Sequence, residues 1–302
     1  MHGAGFGIKT GAPEFEDFEG FTAGPAPGQL GSLNLSNRDG SSVTAQTVHS
    51  GQQGFMHNYA TRDFPKVYRT FSPLTDRAYV ACYLRWTGTS TTSTVWKLAR
   101  FGTGEVYSGT NKFAAEYTAS ANATGPQSLS ATTLVDGQIA EYAGTSDVPS
   151  HLTLMTPDTW HFYEAEISGG TLNGNDLFAE QRIDGVPNIR FTGSTFFSTA
   201  NPQWINHVLT PVNGLDSSGT RAITFFMDEV YTDGSRARVV MTDAVDYAAS
   251  TTWALQPVVE WSDGAVKCAY NRGSLPVGTT AYRHVFNHDG VRVHTTPGFT
   301  VP

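Results

Sequence analysis

Strand-length segments separated by turns fill most of the chain, and no segment of helical length repeats apolar residues with a period of about 3.6. The 18 Phe, 12 Tyr and 6 Trp suit pleated, half-buried surfaces, while the 31 Gly suit turns. We therefore predict an all-β sandwich. The predicted strands are residues 45–49, 54–59, 66–71, 77–86, 94–101, 113–118, 128–135, 138–142, 160–168, 177–184, 203–209, 222–232 and 237–241.

The distribution of Gly and Pro divides the 302 residues into three predicted parts. Residues 1–31 are dense in both and are expected to form an N-terminal arm or connector. Residues 32–247 carry the main strands, and residues 248–302 repeat the pattern as a small immunoglobulin-like β module. A unit that small is marginal by itself, so we expect the module to use the preceding domain as part of its core.

Charge and leader patterns exclude several classes of partner. The 19 Lys and Arg against 27 Asp and Glu give a formal net charge of −8, without the basic stripe that a nucleic-acid binder needs. Residues 1–9 contain no apolar stretch typical of a signal peptide, and no apolar run is long enough for a membrane helix. Cys82 and Cys268 lie far apart in different predicted domains, so we expect two unpaired thiols.

Two strands contain carboxylates that constrain the fold. In the strand at 160–168, Glu164 and Glu166 alternate with apolar residues, so we expect them to face solvent or an open sheet face. The strand at 221–231 is largely apolar on both faces, and Asp228 lies within it between Phe226 and Val230 on its own side. A buried carboxylate there needs backbone donors, an arginine or a cation, and we favour a structural role in which Asp228 anchors a neighbouring loop.

Three short motifs resemble the concanavalin A-like, laminin-G-like jelly rolls. They are Trp-His-Phe-Tyr-Glu at 160–164, Arg-Ile-Asp-Gly at 182–185 and Phe-Met-Asp-Glu-Val-Tyr at 226–231. Segments 3–9, 233–239 and 273–299 are similar to a more specific group of bacterial and phage surface proteins, in which IPT/TIG-type immunoglobulin modules flank a jelly roll. The resemblance implies a concanavalin A-like jelly-roll sandwich and a role in surface attachment or carbohydrate binding, without identifying a ligand.

Candidate binding residues combine aromatic platforms with polar side chains, as sugar binding requires. The residues predicted to contact a glycan are Trp96, Arg100, Glu164, Arg182, Trp204 and His207. Trp96 and Arg100 are expected on one face of their strand. Asp176 and Asp228 could serve a structural calcium ion, the one cofactor we consider, although their spacing matches no dedicated calcium loop.

Two kinds of enzyme stay open as alternatives. A jelly-roll glucanase would need a third carboxylate where the chain has Ser168. A jelly-roll polysaccharide lyase needs a Tyr or His base and an Arg, Asn or Gln that neutralises a uronate. The side chains that could supply these groups are those of Tyr163, His161, His207, Arg100 and Arg182, but the signature strands of such lyases are not found.

We accordingly predict no catalytic residues and a non-catalytic structural or recognition protein. The expected place is a phage virion surface, as a capsid decoration, spike or fibre component with glycan binding. The expected partners are other virion or surface proteins, in a homo-oligomer or on a particle, and a cell-surface glycan, but neither nucleic acid nor membrane. The alternatives are a jelly-roll polysaccharide lyase or glycoside hydrolase, and a fragment of a secreted bacterial adhesin at the cell surface.

Overall fold

The computed structural model describes the chain except for residues 3–4, 8, 10–12, 32, 37–39, 59–65, 76, 91–93, 103–112, 123–124, 136–137, 141–155, 169–176, 195–203 and 210–220. Several strand residues are described by their backbone alone, among them Trp96, Arg100, Trp204 and His207. β-Strands are the predominant secondary structure of the described residues, which contain a single short 3-10 helix at Tyr247–Ala249. The predicted all-β class is confirmed.

Two antiparallel sheets form a jelly-roll sandwich, with strands numbered along the chain. In order across the sheet, the first contains β15 (Val186–Ser194), β14 (Leu177–Ile183), β13 (His161–Ser168), β8 (Arg77–Ser90), β17 (Arg221–Asp233), β6 (Gly54–Asn58), β5 (Ser41–Thr44) and β2 (Gly24–Pro25), with β1 (Glu14–Glu16) beside β17. The second contains β12 (Gln138–Ala140), β11 (Gly125–Val135), β10 (Phe113–Asn122), β9 (Thr94–Gly102), β16 (Trp204–Leu209), β7 (Lys66–Thr75), β4 (Leu33–Ser36) and β3 (Gln29–Leu30).

The main core lies between these two sheets and follows the alternation of side chains along each strand. Val80, Cys82 and Ile167 enter it from the first sheet, and Val67 and Phe101 enter it from the second. The N-terminal segment predicted as an arm supplies short strands to both sheets.

The C-terminal segment forms a third sheet and a hairpin. The sheet contains β19 (Trp253–Leu255), β18 (Arg238–Thr242), β22 (Thr280–Phe286) and β23 (Arg292–Thr295), with β24 (Phe299–Thr300) beside β22, and the hairpin is β20 (Val258–Trp261) with β21 (Val266–Cys268). The strand β18 pairs with this third sheet, although it precedes residue 248. The domain boundaries and the IPT/TIG resemblance stay predictions.

The C-terminal module packs on the outer face of the first sheet. Tyr79, Tyr83 and Phe162 of that face form one buried apolar cluster with Trp253 and Phe286 of the module. The rings of Phe162 and Trp253 stack with their centroids 5.8 Å apart. The expectation that the module shares its core with the preceding domain is confirmed.

Both cysteines are unpaired, as predicted, with Cys82 buried and Cys268 half-buried. Within the described residues, no helix has the length and apolar character needed to cross a membrane.

Candidate functional site

The outer face of the first sheet is closed by ion pairs with the C-terminal module. Glu164 is 1% exposed, accepts a hydrogen bond from the Tyr79 hydroxyl at 2.6 Å and pairs with Arg238 at 3.1 Å. The Arg238 guanidinium lies between the rings of Tyr79 and Phe286, 4.4 and 4.1 Å from their centroids. The prediction that Glu164 faces solvent is wrong, because the module covers the strand face on which it lies.

Glu166, on the same strand face, is also buried rather than solvent-exposed. Its carboxylate pairs with Arg236 at 2.7 Å and with Arg182 at 3.0 Å. Burial alone would raise the pKa of Glu166, but the charges of Arg182, Arg236 and Arg238 outweigh it and lower the pKa to about 2. The carboxylate is therefore held ionised under the module.

Arg182, predicted as a glycan contact, instead bridges two glutamates. Glu166 and Glu180 lie directly opposite each other on β13 and β14, an arrangement of like charges that is destabilising without a counter-ion. Arg182 pairs with both carboxylates, and Arg190 pairs with Glu180 as well. Its guanidinium is thus engaged within the protein.

Asp228 is fully buried and is held by backbone donors. The N–H groups of His49 and Ser50 donate to Oδ2 at 2.9 and 3.1 Å, and that of Glu229 donates to Oδ1 at 2.8 Å. The expected role in anchoring a loop is confirmed for residues 49–50. Among the described residues, no group of three or more His, Cys, Asp or Glu could hold a metal ion. Asp176, the other predicted calcium ligand, lies outside the described residues.

Two of the side chains considered as lyase bases, those of Tyr163 and His161, do not lie on an open surface. Tyr163 is buried in the main core. The ring of His161 is held between Asp184, at 2.7 Å from Nδ1, and Thr156, at 3.3 Å from Nε2, and is almost fully buried. Neither side chain is available to a polysaccharide on the face of a sheet.

The outer face of the second sheet, by contrast, carries polar and aromatic side chains that are not fully buried. Asn34 and Tyr68 are half-buried and Thr70 is exposed, whereas their strand neighbours Leu33, Leu35 and Val67 point into the core. Because side chains alternate along a strand, this pattern assigns positions 34, 68 and 70 to the outer face.

The strand register aligns further polar positions with Tyr68. Position 34 pairs with 68, 68 with 208, 208 with 100 and 100 with 116, which makes one row across β4, β7, β16, β9 and β10. Residues Ala99 and Phe101, on either side of position 100, lie in the main core. Position 206, an asparagine, is two residues from 208 on β16 and therefore on the same face. It pairs with Thr70 and Gly102, which form the neighbouring row across the sheet. A Tyr, an Arg and two Asn positions therefore gather on one face.

The remaining predicted glycan contacts fall on strands whose register is described. Opposite β10, one additional residue of β9, Leu98, interrupts the alternation, so position 96 pairs with 119 and position 100 with 116. Trp96 and Arg100 therefore occupy opposite faces, contrary to the prediction. Position 207 pairs with Arg69 and Phe101, both of which are buried, and Trp204 begins β16 opposite Thr75. The side chains of these four predicted contacts lie outside the described set.

Tyr68 was missed by the sequence reasoning, although a signal for it exists. In Lys66-Val-Tyr-Arg-Thr70, Val67 is the apolar residue of an alternating strand, which leaves Tyr68 and Thr70 on the opposite side. The sequence alone does not say which face of the sheet is covered.

Two solved structures that share the fold are those of polysaccharide lyases. An endo-β-1,4-glucuronan lyase from the fungus Trichoderma reesei aligns with a TM-score of 0.51 and 11% identity, over 73% of this chain and 94% of its own. The alginate lyase Aly36B, in a complex with alginate tetrasaccharide, aligns with a TM-score of 0.57 and 12% identity, over 74% of this chain and 96% of its own. No family model and no curated protein sequence matches the chain.

These matches confirm the jelly-roll β-sandwich and correct the functional prediction. The leading interpretation, a non-catalytic surface protein that is not an enzyme, is overturned by a fold shared over nearly the whole length of solved lyases. At identities of 11 and 12%, what is established for this chain is the fold.

Proposed function

We propose that the protein is a lyase that cleaves uronate-containing polysaccharides by β-elimination on the outer face of the second sheet. The observation that carries the proposal is the register row that aligns Tyr68 with position 100, an arginine, beside Asn206. The shared fold supports it, because the solved proteins that align act on glucuronan and alginate.

The chemistry requires two functions that these residue types supply. The proton on C-5 of a uronate becomes acidic enough to remove only when the neighbouring carboxylate is neutralised. Arg100 and Asn206 would perform this by hydrogen bonding to its oxygens. Tyr68 would accept the C-5 proton as a base and return a proton to the glycosidic oxygen that leaves C-4. The products are a new reducing end and a chain that ends in an unsaturated uronate.

The strand spacing is compatible with this division of roles. Tyr68 lies on β7 and Arg100 on β9, the two strands that flank β16. Strands two places apart in a sheet are separated by about 10 Å, which leaves room for a sugar ring between two long side chains. Asn206 lies on β16, between these two strands, in the row next to that of Tyr68 and Arg100.

The first test is to incubate the full chain with polyglucuronate, polymannuronate and polyguluronate and to follow both ultraviolet absorbance of unsaturated uronate and new reducing ends. We expect both signals with at least one polymer. Tyr68→Phe should lower the rate by about 10²- to 10⁴-fold, because it removes the hydroxyl that transfers the proton. Tyr270→Phe, at an exposed tyrosine of the C-terminal module, is the matched control and should retain activity.

Three outcomes would contradict the proposal. A folded protein that releases no unsaturated product from any of the polymers would not be a uronate lyase. Reducing ends without unsaturation would indicate hydrolysis instead. Full activity in Tyr68→Phe, or equal losses in Tyr68→Phe and Tyr270→Phe, would place the catalytic site elsewhere.

A further inference from the structure

Lys9 and Asp233 form a buried contact that the lyase chemistry does not use. The side chains are 3% and 0% exposed, and the ammonium nitrogen of Lys9 contacts Oδ2 of Asp233. The same nitrogen lies 2.5 Å from the carbonyl oxygen of Ala237 and 5.4 Å from the centre of the Trp261 ring. The buried side chains of Lys9 and Asp233 are therefore in direct contact, and the ring of Trp261 packs against the lysine.

The surroundings favour the neutral forms of both groups. Burial lowers the pKa of Lys9, although the charge of Asp233 opposes that shift. Burial likewise raises the pKa of Asp233, although Lys9 opposes it. A neutral amine has a free electron pair and is a nucleophile, whereas an ammonium is not. The carbon of a neutral carboxyl group accepts a nucleophile more readily than that of a carboxylate, whose negative charge opposes the attack.

The carboxyl group of Asp233 is held by two further donors. The backbone N–H of Ser235 donates to Oδ1 at 3.0 Å, and the Tyr231 hydroxyl donates to Oδ2 at 2.9 Å. The first is placed to stabilise negative charge on Oδ1, as an oxyanion-hole donor does. The second is placed to assist the departure of Oδ2.

We propose that Lys9 and Asp233 join spontaneously in the folded protein through an intramolecular isopeptide bond. Nζ of the neutral amine attacks Cγ of the protonated carboxyl group, and a bond forms between these two atoms. The bond from Cγ to Oδ2 breaks, and Oδ2 leaves as water with the carboxyl proton and one proton from Nζ. No oxidant, cofactor or second substrate is consumed.

The bond would tie the N-terminal segment to the end of β17 across 224 positions of sequence. That segment already packs into the C-terminal module, because Phe6 is buried with Val239, Val266 and Val285. A cross-link of this span restricts the unfolded chain, as a long disulfide loop does. We infer that it is a covalent clamp between the jelly roll and the module.

Intact mass under denaturing conditions tests this directly on the full chain. The wild-type protein should be lighter than its sequence mass by one water, and digestion should yield one branched peptide that joins the segments around Lys9 and Asp233. Lys9→Arg, which keeps a cation beside Asp233, and Asp233→Ala should both show the full sequence mass. A wild-type protein at full sequence mass would overturn the proposal.

One competing reaction also releases water and must be separated. Asp233 precedes Gly234, and an aspartate before glycine can close a succinimide ring on the following backbone nitrogen. That ring would form without Lys9 and would give a linear peptide. A water loss that persists in Lys9→Arg, or that maps to a linear peptide, therefore contradicts the isopeptide bond even if the mass of the wild-type protein fits it.

Discussion

Glu166 shows what a single buried carboxylate does under the C-terminal module. Its carboxylate lies between Arg236 and Arg182, so replacing it would remove the carboxylate that pairs with Arg236 and one of the two that pair with Arg182. Glu166→Gln should destabilise the protein by about 3 kcal/mol or more at neutral pH, because breaking a buried pair leaves an uncompensated charge. Chemical denaturation at pH 7 measures the loss.

The pH dependence of the same residue follows from the sign of its shift. Because the folded pKa is lowered from 4.5 to about 2, the stabilisation by Glu166 is present above about pH 4.5 and is lost as the pH falls toward 2. In Glu166→Gln, this pH-dependent part of the unfolding free energy should be missing. The matched control is Glu260→Gln in the exposed pair with Lys267, which should change stability by less than about 0.5 kcal/mol. Equal effects of the two variants would contradict the assignment.

At the scale of elements, the loop before β6 depends on an aspartate of β17. Asp228→Ala would leave the N–H groups of His49, Ser50 and Glu229 without their acceptor, at about 1–3 kcal/mol for each one that stays buried and unsatisfied. We expect faster amide exchange at residues 49 and 50. Asp243→Ala, which frees Thr251 and Thr252 instead, should leave that loop unchanged. Unaltered exchange at 49–50 in Asp228→Ala would refute the anchoring role.

Strand alternation predicted the existence of most elements, but it did not predict where the alternation breaks. Along β17, Phe225 and Met227 point into the core, and so does Val230, because a bulge places two residues opposite one on β8. Glu229, at the bulge, has a positive φ of 50°. The additional residue at position 98 of β9 acts in the same way. Each such bulge moves the later residues of its strand to the opposite face, and the sequence contains no pattern that marks the position of the bulge. For this reason the sequence analysis assigned Trp96 and Arg100 to one face.

At the scale of the whole molecule, the sequence did not predict which sheet face would be buried. Glu164 and Glu166 alternate with apolar residues as solvent-facing side chains do, and only the docking of the module makes them interior. The docked module buries Tyr79, Tyr83 and Phe162 on the outer face of the first sheet, whereas Asn34 and Tyr68 on the outer face of the second sheet stay half-buried and Thr70 is exposed. The proposed site was therefore located by tertiary packing, whereas the fold class followed from local pattern.

The shared core also predicts that the jelly roll and the module unfold together. Trp253 stacks on Phe162, and its carbonyl oxygen accepts a hydrogen bond from the Tyr83 hydroxyl. Trp253→Ala should lower the unfolding free energy by about 3–5 kcal/mol because it empties the centre of the interface. Thermal unfolding followed by far- and near-ultraviolet circular dichroism should still give one coincident transition at a lower temperature, whereas Val259→Ala, at an exposed site, should leave it nearly unchanged. If the two probes separate in the wild-type protein, or if Trp253→Ala shifts only part of the transition, the module is an independent unit and its core is not shared.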